Sequence, residues 1–231
     1  MVIRSYIVAI FLSYLPLVIF AGKPNVVFFF IDDLGWTDLG YMGSKYYESP
    51  HIDRLAKEGM AFMNAYANAP NCAPSRACLM SGKYSPRHGV YTVANSDRGS
   101  SKHRKLIPTK NTTHLAEKFV TMGEALQAGG YVTATMGKWH LGDDPTTQGF
   151  DVNIAGKSWG SPSGGGYHSP YKYPNLEQKE KGEYLTDRLG LEACKFIEKN
   201  KDKPFFLYLT HYSVHTPIQA KPELKKKYQE K

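Results

Sequence analysis

Two adjacent carboxylates, Asp32 and Asp33, follow directly on the apolar run at residues 25–31. Side by side they repel, so a pair held at a strand's end needs a cation or strong hydrogen-bond donors. Their oxygens suit a hard ion, Ca²⁺ ahead of Mg²⁺, although Asp-Asp-Leu-Gly reads equally as a solvated turn. A second group is Cys72-Ala73-Pro74-Ser75-Arg76, which precedes the apolar helical run at residues 77–80. Pro74 suits the first turn of a helix. That sets Cys72 near a helix N-terminus, where the dipole favours anions and acidifies a thiol. Arg76, one turn on, can face the same anion. Against this, a cysteine taken at random is more often a buried structural one. The third group, Gly137-Lys138-Trp139-His140, ends the β-rich run at residues 131–136. Alternation puts Lys138 and His140 on one side if the strand continues that far. A cation beside a titratable imidazole can bind an oxyanion and move a proton. The plainer alternative is a loop with an exposed lysine and a packed tryptophan. His211 and His215 follow the run at residues 205–209, with His215-Thr216-Pro217 at another strand's end.

These groups need elements to hold them. Residues 25–31 read as a strand buried on both faces, as in a parallel sheet. Ser49-Pro50 opens a helix that Gly59 stops, and residues 60–67 read as a second strand. Thr121-x-x-Glu124 is a capping box for a helix ended by Gly129-Gly130, followed by a strand at 131–136. Thr186 is the expected cap of a helix with Leu189, Ala193, Phe196 and Ile197 on one face. Pro204 leads into a buried strand at 205–209, and residues 221–231 form a charged helical pattern. Alternating β and α elements with apolar strands predict an α/β fold, a mostly parallel central sheet with helices on both faces. Ligands in such sheets bind beyond the carboxyl ends of the strands, where the three groups lie. Residues 156–174, rich in Gly, Ser, Tyr and Pro, read as a long surface loop bordering the pocket.

The 231 residues suffice for a sizeable core without disulfides or metal. With 42% apolar and 22% charged residues, a disordered chain, a collagen-like fibre and a coiled coil are excluded. Three cysteines exclude a dense disulfide scaffold. Cys78 and Cys194 both fall in apolar helical patterns and are expected to be buried and unpaired. The net charge of +8 suits an anionic partner. Residues 1–21 have a basic start, a short apolar run and a small-residue exit, the pattern of a secretory signal peptide; uncleaved, it would be a membrane anchor. Residues 22–231 then meet an oxidising secreted, periplasmic, lysosomal or extracellular compartment. Asn111-Thr112-Thr113 is a glycosylation acceptor sequence or an ordinary polar loop.

Taken together, Asp32-Asp33, Cys72-x-Pro-Ser-Arg76 with Leu79-Met80-Ser81-Gly82, Gly130-Tyr131 through Gly137-Lys138-Trp139-His140, and His215 resemble the sulfatases related to alkaline phosphatase. Order and spacing match across most of residues 24–220, with Asn71 and Ser81 as small departures. The resemblance implies an alkaline phosphatase-like fold and hydrolysis of sulfate esters. It implies that Cys72 is oxidised to formylglycine (3-oxoalanine) by a formylglycine-generating or equivalent maturation enzyme, and that the hydrate supplies the nucleophile. Asp32 and Asp33 would hold Ca²⁺, which also touches the diol at position 72, so that Cys72 joins the metal ligands. Arg76 would orient the diol, and Lys138 would bind sulfate and diol. His140 would take the second hydroxyl proton, and His215 would bind sulfate and help protonate the leaving alcohol.

The implied substrate is a sulfated carbohydrate, ahead of an aryl sulfate, and nucleic acid is not an implied partner. Members of the family carry further metal ligands and a second sulfate-binding lysine on later strands. No candidate for these occurs before residue 231; Asp187 and Asp202 fall in or beside a helix. Residues 22–231 are therefore expected to be the N-terminal part of a catalytic domain, incomplete on its C-terminal side and inactive alone. The alternatives are a phosphodiesterase or phosphonate hydrolase of the same superfamily and a non-catalytic secreted binder of sulfated glycans.

Overall fold

The computed structural model describes residues 22–231. The signal-peptide and anchor readings of residues 1–21 lie outside the described residues. Four strands, β1 (Val26–Ile31), β2 (Val132–Gly137), β3 (Val152–Ile154) and β4 (Phe205–His211), form one sheet in the order β1-β4-β2-β3. Every pair is parallel. Ile31 stands opposite His211 and Gly137 opposite Thr210, so the carboxyl ends of three strands finish level.

Strand β4, inside this sheet, explains its layering. Every residue of β4 is buried, and its side chains alternate between two cores. Phe205, Leu207 and Leu209 pack with Leu185, Leu189, Ala193 and Phe196 of helix α5 (Leu185–Asn200). Phe206 and Tyr208 face the other way, onto Ala73, Ala77 and Met80 of helix α2 (Cys72–Ser81) and Met122 and Leu126 of helix α4 (Met122–Ala128). Helices α1 (Pro50–Glu58), α3 (Ser85–His88) and α6 (Pro222–Gln229) complete the α-helices among the described residues, and three short 3₁₀ turns lie in the loops. The architecture is α/β with a parallel sheet covered on both faces. The capping box on α4 is present in both directions: Thr121 Oγ1 accepts from the Glu124 amide, and Glu124 accepts from the Thr121 amide.

Several sequence expectations are corrected. Residues 60–67 form no strand; Met60 and Tyr66 are 76% and 82% exposed. Their β-type side chains lack the half-buried pleated surface that makes such residues favour strands. Strand β1 is buried on one face only: Val26, Phe28 and Phe30 pack into a core, while Val27 and Phe29 stay about half exposed at the sheet edge. Thr186 does not cap α5. Tyr184 holds that position without a side-chain bond, and the Thr186 hydroxyl lies 2.6 Å from the Ser213 hydroxyl. Cys78 is buried as expected, whereas Cys194 is exposed on the solvent side of α5; both are unpaired. The Asn111 amide closes its own loop, Nδ2 donating to the Thr92 carbonyl and Oδ1 accepting from the amides of Tyr91 and Thr92.

Candidate active site

Parallel strands deliver the site. Asp32 is the first residue beyond β1 and is buried. Its amide donates to the Ser213 carbonyl, and the Val214 amide donates to the Asp32 carbonyl. These two bonds prolong the β1–β4 pairing and bring the segment carrying His215 alongside the two aspartates. Gly137 ends β2 in the left-handed region, with φ at 110°. A Cβ there would stand 1.9 Å from the Thr210 carbonyl oxygen, so only glycine lets β2 approach β4 this closely. Lys138 follows, turned inward and fully buried.

A charged knot results. Arg76, one turn into α2 from Cys72, donates from Nη2 to Asp32 Oδ1 at 3.0 Å. The Lys138 ammonium donates to Asp32 Oδ2 at 2.5 Å. Arg76 Nη1 also donates to the Lys138 carbonyl and the Thr210 hydroxyl, each at 2.6 Å. The guanidinium lies over the Phe30 ring, 5.0 Å from its centroid. Its Nε is buried without a partner among the described residues. Two buried cations on one carboxylate leave a net positive charge at the strand ends, and such fixed charge in a low-dielectric site is well placed for an anion.

Cys72 is the first residue of α2, half-buried and unpaired. Asn71 precedes it in extended conformation and anchors the turn through Nδ2, which donates to Thr92 Oγ1 at 3.2 Å. His140 does not reach its place by strand alternation, since β2 has ended. It turns in the left-handed region, φ 61°, with its amide donating to the Lys157 carbonyl. Its ring packs against Gly160, where a Cβ would be 2.4 Å from the imidazole Cε1. Burial pulls the His140 pKa down to about 4, the charges of Lys138 and Arg76 adding to the effect and Asp32 opposing it. The imidazole is thus a neutral base at pH 7, and its Nδ1 is buried without a partner among the described residues.

Asp33 also adopts left-handed φ, 57°, an uncommon conformation for a non-glycine residue and one met at functional sites. Its Oδ2 lies 3.8 Å from His215 Nε2. Asp32, Asp33 and His215 bring one ligand atom each within 4.8 Å of one another. Cys72 is outside that group, and Asp187 is turned away, paired to Lys221 at 2.7 Å. Two carboxylates are hard-oxygen donors of the kind Ca²⁺ takes, yet a shell of six to eight oxygens needs more than the described residues bring together. Thr210, Tyr208, whose hydroxyl accepts from Arg76 Nη1 at 3.4 Å, and Gly160 belong to no motif of the sequence. The signal for Thr210 is a hydroxyl residue inside an otherwise apolar, fully buried strand.

Comparison with known proteins now decides the family. The sulfatase family model matches residues 24–231. The chain belongs to the sulfatase family. It is 34% identical to a sulfatase of Formosa agariphila over 90% of this chain and 48% of that protein. It is also 34% identical to N-acetylgalactosamine-6-sulfatase of Mus musculus, over 85% of this chain and 41% of that one. Among solved structures, Ps i-CgsB superposes with a TM-score of 0.71 at 33% identity, covering 90% of this chain and 49% of the other. BT4656 in complex with its substrate D-glucosamine-2-N,6-O-disulfate gives a TM-score of 0.70 at 29% identity, covering 90% and 38%. The sulfatase chain thus spans about half the length of the curated relatives it matches. Its fold is the alkaline phosphatase-like α/β fold that the sequence implied.

Proposed function

We propose that this sulfatase chain carries the nucleophile, the anion-binding cations and the proton-transfer groups of a sulfate-ester hydrolase acting on sulfated glycans. The observation that carries the reading is the Asp32 carboxylate held between Arg76 and Lys138 near a neutral, half-buried His140. In this reading Cys72 is matured to formylglycine, whose hydrate provides the attacking hydroxyl; Asp32 and Asp33 would hold Ca²⁺, which would supply Lewis acidity toward that hydroxyl and offset sulfate charge. Arg76 orients the group at position 72 from one turn below it. Lys138 holds a sulfate oxygen. The unpartnered Nδ1 of His140 accepts the proton from the second hydroxyl at position 72. The Thr216 carbonyl accepts from His215 Nδ1 at 2.6 Å, which leaves Nε2 as the ring nitrogen facing the leaving alcohol, to which the imidazolium form gives its Nε2 proton. The glycan class rests on the sulfated sugars named for the relatives and on the tyrosine-rich loop beside His140. Secretion past residue 21 belongs to the same reading, because maturation of the cysteine takes place during export.

The test uses the intact protein with 4-nitrophenyl sulfate, 4-nitrophenyl phosphate and a sulfated oligosaccharide, and mass spectrometry of the Cys72 peptide. Sulfate release is expected, faster than phosphate release, with C72A lower by more than about 10³-fold. Protein fully converted at position 72 that releases no sulfate, or that prefers the phosphate ester, refutes the proposal.

A further inference from the structure

The site just described leaves unused a strongly basic segment next to it. Residues 98–110 contain five Lys or Arg and no Asp or Glu, in a chain whose whole net charge is +8. The segment is tied into a defined loop. Arg98 Nη1 donates to the carbonyls of Asn95 at 2.5 Å and Asp97 at 2.9 Å. Arg104 donates to the carbonyls of Arg98 and Gly99, each at 3.3 Å, and pairs with Asp97 at 3.2 Å. Asn111 closes the base of the loop through its amide. Two of the five cations therefore hold the loop's own backbone. Lys102, Lys105 and Lys110, with His103, are exposed, and no carboxylate pairs with these lysines among the described residues.

The root of this loop reaches the nucleophile. Thr92 Oγ1 accepts from Arg98 Nη2 and from Asn71 Nδ2, each at 3.2 Å, and Asn71 is the residue before Cys72. One hydroxyl thus joins the basic loop to the N-terminus of α2. We propose that residues 98–110 form an exosite for a polysulfated carbohydrate chain, binding sulfate groups beyond the one being hydrolysed and laying the chain across position 72. The partner class rests on the proposed function. The contact chemistry rests on the loop: three free ammonium groups on flexible stems are mobile point charges suited to sulfates along a polymer. A cluster of one sign beside a reaction site also concentrates and steers a polyanion.

The experiment titrates a fluorescein-labelled heparin oligosaccharide with the intact protein by anisotropy over a range of NaCl. The variants are K102A/K105A/K110A and, as a control on the exposed apolar tip, L106S/I107S; melting curves confirm that both fold. Competitors are unlabelled heparin, chemically desulfated heparin and single-stranded oligo-dT. The lysine variant is expected to raise Kd about tenfold near 0.15 M salt, three exposed contacts together. The slope of log K against log[NaCl] should fall by about 2, at about 0.7 per contact with a flexible polyanion. The tip variant should bind as wild type. The lysine variant should keep wild-type kcat/KM on 4-nitrophenyl sulfate and raise KM for a sulfated polysaccharide. An unchanged Kd in the lysine variant overturns the exosite. So does weakened binding in the tip variant, equal competition by desulfated heparin, or tighter binding of oligo-dT, which would mark a nucleic-acid surface. Lysine-dependent heparin binding in a protein that hydrolyses no sulfate ester refutes the proposed function and leaves the exosite standing.

Discussion

Replacing Asp32 with asparagine removes the only anion from the buried knot. In the wild type the carboxylate faces Arg76 at 3.0 Å and Lys138 at 2.5 Å, all three side chains less than 5% exposed. At an effective dielectric near 20, each contact is worth about 6 kcal/mol of gross attraction, most of it offset by desolvation. Breaking a buried pair by removing one partner costs about 3–5 kcal/mol net. D32N is therefore expected to lose about 3–5 kcal/mol. The double variant D32N/K138M returns the buried net charge to +1, that of the wild type, and should regain at least about 2 kcal/mol over D32N. Urea unfolding at pH 7 with excess EDTA, read by linear extrapolation, makes the comparison free of any metal contribution. A D32N loss below about 1 kcal/mol, or a double variant no more stable than D32N, would refute the electrostatic account.

Other consequences are as concrete. Burial pulls the His211 pKa down to about 4, Asp187 partly opposing, so between pH 6.5 and 4 the unfolded chain takes up a proton that the folded one refuses. Stability is then fully present above 6.5 and falls by about 1.4 kcal/mol per pH unit on acidification, roughly 3 kcal/mol over the window. H211F should flatten that dependence in urea titrations at several pH values, and an unchanged slope would count against it. His140 contributes with the same sign through its own depressed pKa. Gly137→Ala would drive a Cβ into the Thr210 carbonyl at a φ that favours glycine; a loss of about 3 kcal/mol or more is expected, seen as a melting temperature lower by 10 °C or so. Gly160→Ala would push the His140 ring, so kcat on 4-nitrophenyl sulfate should drop about tenfold or more while the melting temperature moves little. Wild-type kcat in that variant would show that the ring's seat is unimportant.

The fold class was legible because its signals were long and redundant. The apolar runs at β1, β2 and β4, the capping box at Thr121 and the Gly129 stop each match an element of the structure. What escaped was set by distant partners. Strand β3 is three residues long, too short for periodicity to show. Residues 60–67 have strand-like side chains but no neighbouring strand, and β1 lost its second buried face because it stands at an edge. The family resemblance puts Asp32, Arg76 and Lys138, 44 and 62 residues apart in sequence, in one pocket, but gives no sign that both cations pair directly with the Asp32 carboxylate. Nothing local to Lys138 told that it would be buried without exposure; the left-handed turn at Gly137 and the Asp32 carboxylate decide that. His140 reached the site by a strained turn, where alternation along a strand had been the expected route.

The strand order explains why the knot sits where it does. Strand β4, last in sequence, lies between β1 and β2, so chain segments that enter the sheet from different parts of the sequence end side by side. Thr210 of β4 then stands between Asp32 beyond β1 and Lys138 beyond β2, and Arg76 enters from α2 to bond all three. Arg76 is fixed by the Lys138 carbonyl and the Thr210 hydroxyl, and it and Lys138 hold the Asp32 carboxylate, before any ligand arrives. An anion entering beside Cys72 would therefore meet positive charge already oriented, with little reorganisation left for the reaction itself. The same arrangement makes the site costly to mutate, because each member satisfies buried polar atoms of the others. Stability and the proposed catalysis draw on one set of contacts, and variants such as D32N/K138M, which separate charge from packing, are the means of telling the two apart.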